Sequence, residues 1–294
     1  MTLKSLFKRG GFRRLYLTLG FVLTAAILTD GAWAAPQRII STMPSNTEIL
    51  YELGMGDQVV GVTNFCDYPA SAKQKPKIGD IALNYEKIVA LEPTLIVMSA
   101  DGQARDVERL QELGMPVLAV KTSQLEDVAI AATQIGVYTG RPARGLRLAL
   151  DLVEKTIKTR AEAKAVVGSS KPSAFIDIWH DPLMTATARS LVGNIVDSAG
   201  YSNIAGDAAG TYPLYSVEKL LMENPEFIVV PTASIGRIAQ VQLDPSWQTL
   251  SAVQSQKVMY IDENLLVRAS PRAVRGLEIL LEYLKSKRAQ SNLP

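Results

Sequence analysis

The stretch RPARGLRLALDLVEKTIKTRAEAKAVV, Arg141–Val167, reads as one long helix. Pro142 falls in its first turn, where a missing N–H costs little. Leu146, Leu148, Leu150, Leu152, Val153 and Ile157 form an apolar stripe closer to helical than to alternating spacing. Gly145 lies in the opening turns, charged residues fill the later ones, and Gly168-Ser169-Ser170-Lys171-Pro172 ends the run. At ~1.5 Å per residue such a helix would span ~40 Å, the width of a small domain. The segments on its two sides resemble each other, so it reads as a strut joining two lobes. A surface helix on one larger domain is the alternative.

Upstream, short apolar runs alternate with helical segments. Strands are expected at Arg38–Thr42, Val59–Thr63, Thr94–Ser99 and Pro116–Lys121. Ser45-x-x-Glu48 and Ser123-x-x-Glu126 read as capping boxes opening two helices, and Asn84 caps a third that Pro93 closes. Strands that are apolar throughout and separated by helices predict a parallel sheet covered on both faces. Downstream the pattern restarts, with strands at Ser173–Trp179, Phe227–Val230 and Val258–Ile261. Helices are expected at Leu191–Ala199 and after the caps Ser216, Asp244 and Ser270. Glu86-Lys87-Ile88-Val89-x-x-x-Pro93-x-Leu95-Ile96-Val97 matches Glu218-Lys219-Leu220-Leu221-x-x-x-Pro225-x-Phe227-Ile228-Val229 position by position. The expected fold class is therefore α/β, with two similar Rossmann-like lobes carrying parallel sheets. The expected boundaries are an N-terminal lobe over residues 35–140, a linking backbone helix over 141–168 and a C-terminal lobe over 169–294.

The first 34 residues read as an export signal. Lys4, Lys8, Arg9, Arg13 and Arg14 lead into the apolar run Leu15–Thr29, and Ala32-Trp33-Ala34 supplies small residues where a signal peptidase reads. Cleavage is expected before Ala35, and a retained membrane anchor is the alternative. These five basic residues against one acid, Asp30, give the segment a net +4, so the rest of the chain is +2 − 4 = −2, which leaves no basic surface to suggest nucleic acid. The single cysteine, Cys66, has no partner for an internal disulfide. Together these features place the chain in the periplasm, as a soluble protein.

In open parallel sheets ligands sit beyond the carboxyl ends of the strands, and two lobes facing each other would share a cleft lined by those ends. Phe65, Tyr68, Trp179, His180, Tyr212, Leu266 and Arg268 fall at such ends. The set is aromatic and mostly neutral, which suits a large, flat, partly apolar ligand. QRIISTMPSNTEILYELG, NFCDYP, NYEKIVALEPTLIV, IWHDPLMTA and VRASPR, in this order around a central helix, resemble the class III periplasmic binding proteins, and most of all the cobalamin-binding members. The resemblance implies two α/β lobes on one backbone helix and a ligand cleft between them. It implies capture of a chelated-metal compound, a corrinoid or a ferric siderophore, for an ABC importer. It places ligand contacts on Phe65, Tyr212, Leu266 and Arg268. It also places permease docking on one acidic residue per lobe, Glu86 and Glu218, the pair that the internal repeat singles out unaided. The implied partner is a permease dimer in the inner membrane, and the binding protein itself would be a monomer. Near Asp80, where the cobalamin binders carry a tryptophan, this chain has none. Siderophore binding could use Arg189, Arg237 or Arg268, and haem is an alternative ligand.

No catalytic residue, resident cofactor or protein-held metal is expected; the only metal would be the cobalt or iron of the ligand. Free zinc or manganese capture wants several His, Cys or carboxylate ligands together, and the chain has one histidine and one cysteine. Cys66 as a nucleophile would need His180 as its base, and a small loop residue is the simpler reading. Gly54-x-Gly56 follows a helix instead of opening one, so these are turn glycines and not a dinucleotide loop. An exported two-lobe enzyme with its site in the same cleft, and a cleft that binds protein partners, are the remaining alternatives.

Overall fold

A computed structural model of the chain describes residues 37–232 and 240–291. The expected leader, residues 1–34, and Arg237 lie outside the described residues. The chain divides into two compact units. The first runs to Thr122 and takes in Glu126–Val153; the second holds Ser123–Leu125 and the chain from Glu154 onward.

In the first unit β1 (Ile39–Ser41), β2 (Val59–Val62), β3 (Leu95–Ser99) and β4 (Val117–Val120) form one sheet in the order β2-β1-β3-β4. Every pairing is parallel. Helices α1 (Pro44–Glu52), α2 (Tyr85–Ala90), α3 (Ala104–Glu112) and α4 (Leu125–Tyr138) make the connections. All residues of β1 and β3 are buried, as strands covered on both faces must be. After α5 (Pro142–Val167) the second unit repeats the plan. Strands β5 (Ser173–Ile176), β6 (Ser202–Asn203), β7 (Phe227–Thr232) and β8 (Val258–Asp262) form a second all-parallel sheet, ordered β6-β5-β7-β8. Helices α6 (Leu191–Ser198), α7 (Val217–Glu223), α8 (Ser251–Gln254) and α9 (Ala273–Ser291) accompany it. Each sheet places its strands in the chain order second, first, third, fourth.

The sequence repeat is also a repeat of packing. Ile88 of α2 and Ile96 of β3 lie in the first core with Ile40, Met98 and Leu110. Leu220 of α7 and Ile228 of β7, at the matching offsets, lie in the second with Phe175 and Trp247. Each such side chain contributes roughly 1.5–3 kcal/mol by leaving water. Helix α2 or α7 is thereby held against the third strand of its own sheet, with its opposite face exposed.

Several local expectations are corrected. The α1 helix opens at Pro44 with Met43 at its N-cap and no side-chain cap bond; Ser45 and Glu48, read as a capping box, lie inside it and are buried. Proline at N1 sets the start two residues earlier than a Ser45 cap would. Strand β5 stops at Ile176, short of the expected Trp179, because the backbone turns back so that Ile178 N–H reaches Met184 O. Strand β6, two residues long, is too short to leave a signal in the sequence. Helix α5 spans the expected residues, and the unit division falls inside it, after Val153. Of the predicted stripe only Leu152 is fully buried. Leu150 and Ile157 are exposed, and Ala149, Leu152, Thr156, Thr159, Ala163 and Val167 are buried at spacings of three and four. The Thr159 hydroxyl donates to Lys155 O one turn back, which lets a threonine sit in an apolar face without an orphaned hydroxyl.

Candidate functional site

At the carboxyl end of β2 the chain runs into Thr63–Pro69. Phe65 is 51% exposed and Tyr68 is also exposed, whereas Cys66 between them is buried. The thiol lies 3.2 Å from the hydroxyls of both Thr47 and Thr63, an anchoring role and not a reactive one. The loop closes on a cation: Lys77 Nζ donates to the carbonyls of Thr63, Cys66 and Ala72 at 3.4, 3.4 and 3.5 Å. This loop-holding role of Lys77 is not marked in the sequence by an adjacent carboxylate. Hydrogen bonds from a charged donor are worth more than neutral ones. Lys77→Met, which keeps the stem and removes the ammonium, should cost about 1–1.5 kcal/mol, the long distances favouring the low end of the charged range. Hydrogen exchange of the residue 63–72 amides should accelerate; unchanged protection there would show that the loop holds without the lysine.

In the second unit three segments form an irregular antiparallel layer beyond the carboxyl ends of β5 and β6. Trp179 pairs with Met184, and Met184 with Leu214. Thr185 N–H donates to Pro213 O and Thr187 N–H to Thr211 O. This layer presents Trp179, 56% exposed, and Tyr212, also exposed, on its two outer segments, with Met184–Thr187 between them. The Trp179 indole N–H donates to Asp181 O at 2.7 Å, which folds the ring over its own loop. Partial burial pushes the Tyr212 hydroxyl above its ordinary value, and its bond with Ser190 opposes this. The guanidinium of Arg189 donates to Ala208 O at 2.8 Å and Gly210 O at 3.3 Å, so it serves the loop beneath Tyr212.

His180 is placed differently from a residue reaching for a ligand. Its Nδ1 lies 3.1 Å from Asp177 Oδ2 and its Nε2 2.9 Å from Asp244 Oδ2. Its ring packs edge-on against Trp247, which is buried in the core. Asp177 carries a signal legible in the sequence: it is the one acid in the apolar run SAFID and, being buried, needs a partner. Asp244 reads in the sequence only as a helix cap, which it also is, accepting from Ser246 N–H at 2.8 Å. In the loop after β8, Leu266 has no exposed surface and packs beside Gly276. Val267 is the exposed apolar residue of that loop, and Arg268 beside it is half-buried.

The two glutamates occupy matching places. Glu86 is exposed in the first turn of α2, whose cap Asn84 accepts from Lys87 N–H. Glu218 is exposed in the first turn of α7, whose cap Ser216 accepts from Lys219 N–H. The Ser216 hydroxyl also donates to Glu218 Oε2 at 2.6 Å and holds that carboxyl below its ordinary range. One turn along, on the same helix face, stands an exposed apolar side chain: Val89 after Glu86 and Met222 after Glu218. Among the described residues no group of three His, Cys, Asp or Glu could hold a metal ion, and no helix is long and apolar enough to cross a membrane.

The sequence matches the family described as periplasmic binding protein over residues 39–265. It is 31% identical over 264 residues to the vitamin B12-binding protein of Pectobacterium carotovorum, an alignment covering 89% of this chain and 93% of that one. It is also 31% identical to the ABC transporter substrate-binding lipoprotein YvrC of Bacillus subtilis, over 85% of this chain and 80% of the relative. Among solved structures, the periplasmic vitamin B12 binding protein BtuF of Vibrio cholerae superposes with a TM-score of 0.77. That match has 28% identity and covers 86% of this chain and 98% of the other.

Proposed function

The chain belongs to the periplasmic binding proteins, the substrate-binding components of ABC transporters, and on that premise we propose that its substrate is a corrinoid or a similar metal chelate. The observation that carries the proposal is the character of the loops at the carboxyl ends of the strands. Phe65 and Tyr68 after β2, Trp179 after β5 and Tyr212 after β6 expose large aromatic faces. Such faces suit a broad, partly apolar ring system held by contact area. Arg189, one of the arginines that could pair with an anionic chelate, is engaged by backbone carbonyls, which lends no support to a site built around anion pairing. The names of the relatives point the same way.

Glu86 and Glu218 dock the protein on its permease, each with its apolar neighbour, Val89 or Met222. Glutamates at matching positions on two equivalent helices, each with an exposed apolar residue one turn on, suit a partner that presents the same surface twice, a permease dimer, to one monomeric binding protein. Residues 1–34 direct export and are removed before Ala35. The function so described is capture and delivery, with no catalytic residue assigned.

A fluorescence titration tests the ligand. The chain recovered from the periplasm is titrated with cobalamin, cobinamide, haemin and a panel of ferric siderophores. Saturable quenching by a corrinoid is expected, with Phe65→Ala and Tyr212→Ala each weakening it roughly 10- to 100-fold, the equivalent of losing one aromatic contact face. Saturable binding of a siderophore or haemin alone would replace the corrinoid; quenching insensitive to both substitutions would move the site elsewhere.

A further inference from the structure

His180 is the only histidine in the chain, and neither of its ring nitrogens is free. Both face carboxylate oxygens, which accept hydrogen bonds and donate none when ionised. A neutral imidazole has one N–H, so in that form one of the two contacts would set lone pair against lone pair. Only the imidazolium donates to Asp177 and Asp244 together. The seat suits a cation. The Asp177 side chain is fully buried, that of His180 is 11% exposed, and the Trp247 ring closes one side at 4.7 Å between centroids. Tyr260 of β8 is a further titratable group facing this seat, its hydroxyl pushed up by burial and by the Asp177 charge. The bond to Asp177 raises the imidazole above its ordinary value of 6.5; burial opposes this, and the Asp177 charge and the Asp244 bond add to it. Asp244 is held below the ordinary carboxylate range. Burial pushes it up, and its bonds from Ser246 and His180 outweigh that.

We propose that His180 is a proton-dependent positioning residue for ligand binding. As an imidazolium it ties Asp177, just past β5, to Asp244, just ahead of the Pro245–Trp247 turn, and so sets its chain neighbour Trp179 for the ligand. The proposal rests on Trp179 being a ligand contact, as argued above. Loss of the proton leaves one donor between two carboxylates, and the Asp177–Met184 loop is no longer held to the turn. Apparent affinity then follows the fraction of chains that keep the proton, falling about tenfold per pH unit above the midpoint. Stability has the same sign: the contribution of His180 is complete below pH 6.5 and is lost as pH rises through the higher folded-state value.

A single histidine makes the test direct. Nitrogen NMR of the ligand-free protein should show both ring nitrogens carrying protons at pH 6, with a midpoint above 6.5 that falls in Asp244→Asn. The fluorine signal of 5-fluorotryptophan at position 179, assigned through Trp179→Phe, should move with the same midpoint. Dissociation constants for cobalamin and haemin should rise above that midpoint in the native chain and stay flat with pH in His180→Gln. A singly protonated ring at pH 6, or a Trp179 signal that ignores the imidazole titration, overturns the clamp. If the clamp titrates as expected and a chelate binds with pH-independent affinity, the positioning role is overturned. If neither probe binds at any pH while Trp179 follows the imidazole, the ligand assignment fails and the proton-dependent setting of Trp179 stands. Asp244→Asn, on the exposed side of the cluster, supplies the comparison if His180→Gln does not fold.

Discussion

With Glu86 and Glu218 both changed to alanine, the chain should bind its chelate as tightly as before and deliver none of it. Both side chains are exposed on helices and not on the aromatic loops, Glu86 in α2 and Glu218 in α7, six residues past Tyr212, so their loss should remove no ligand contact. Each stands in the first turn of a helix whose cap is a different residue, Asn84 or Ser216, so the helices persist without them. Truncating one partner of an ion pair desolvated in an interface is expensive, because the other charge stays buried and unpaired. Two such losses on one partner should weaken docking on the order of a thousandfold. Either single substitution should leave partial uptake, since the second patch still holds. Val89→Asp and Met222→Asp, which spoil the apolar neighbours and keep the glutamates, should also reduce uptake if each patch works as a unit. Uptake of labelled chelate by cells, read beside the affinity of the purified variants, separates the roles. Loss of affinity in the double variant would sink the division between docking and binding, and undiminished uptake would remove the glutamates from docking altogether.

The same pair shows how much the order of residues reveals by itself. The repeat around Glu86 and Glu218 is visible because burial of Ile88 with Ile96, and of Leu220 with Ile228, demands the same apolar residues at the same offsets. Strand identity is legible for the same reason: a strand covered on both faces tolerates little but aliphatic residues. The aromatics can be picked out too, since Phe65, Trp179 and Tyr212 sit where strand ends give way to loops and remain exposed. Features decided by tertiary partners stay hidden. The buried face of α5 contains two threonines and two alanines, which no hydrophobic periodicity marks. Leu266 cannot be told from Val267, because a loop has no period to say which of two apolar neighbours turns inward. His180 looks like a lone polar residue at a strand end; its two carboxylates come from three positions before it and from Asp244, and the second of these is invisible in the chain order.

Gly145 in the long helix should prove intolerant of a side chain even where a side chain favours the helix. On propensity alone, Gly145→Ala would stabilise α5 by about 1 kcal/mol. The packing reverses the sign. A Cβ on Gly145 would lie 2.6 Å from Ala132 O and 3.0 Å from Gly136 Cα, and one on Gly136 would lie 2.8 Å from Gly145 Cα. The atoms in the way are backbone, so no rotamer change relieves the clash, and α4 and α5 must move apart along a crossing made glycine to glycine. Separation takes the neighbouring buried side chains out of contact: Ala132 and Ile135 on α4, Ala149 on α5. Overpacking of this kind costs roughly 1–3 kcal/mol, so Gly145→Ala should come out destabilised and Gly145→Val at or beyond the upper end of that range. Gly168, just past the helix, is the control. It has open space around it and a φ of +63°, so Gly168→Ala carries only the left-handed backbone cost of about 1–2 kcal/mol. Denaturant midpoints for the variants decide between the two accounts. A Gly145→Ala chain more stable than the native one would mean that propensity outweighs the crossing, and that α5 is held to the first unit by its Ala149–Leu152 face alone.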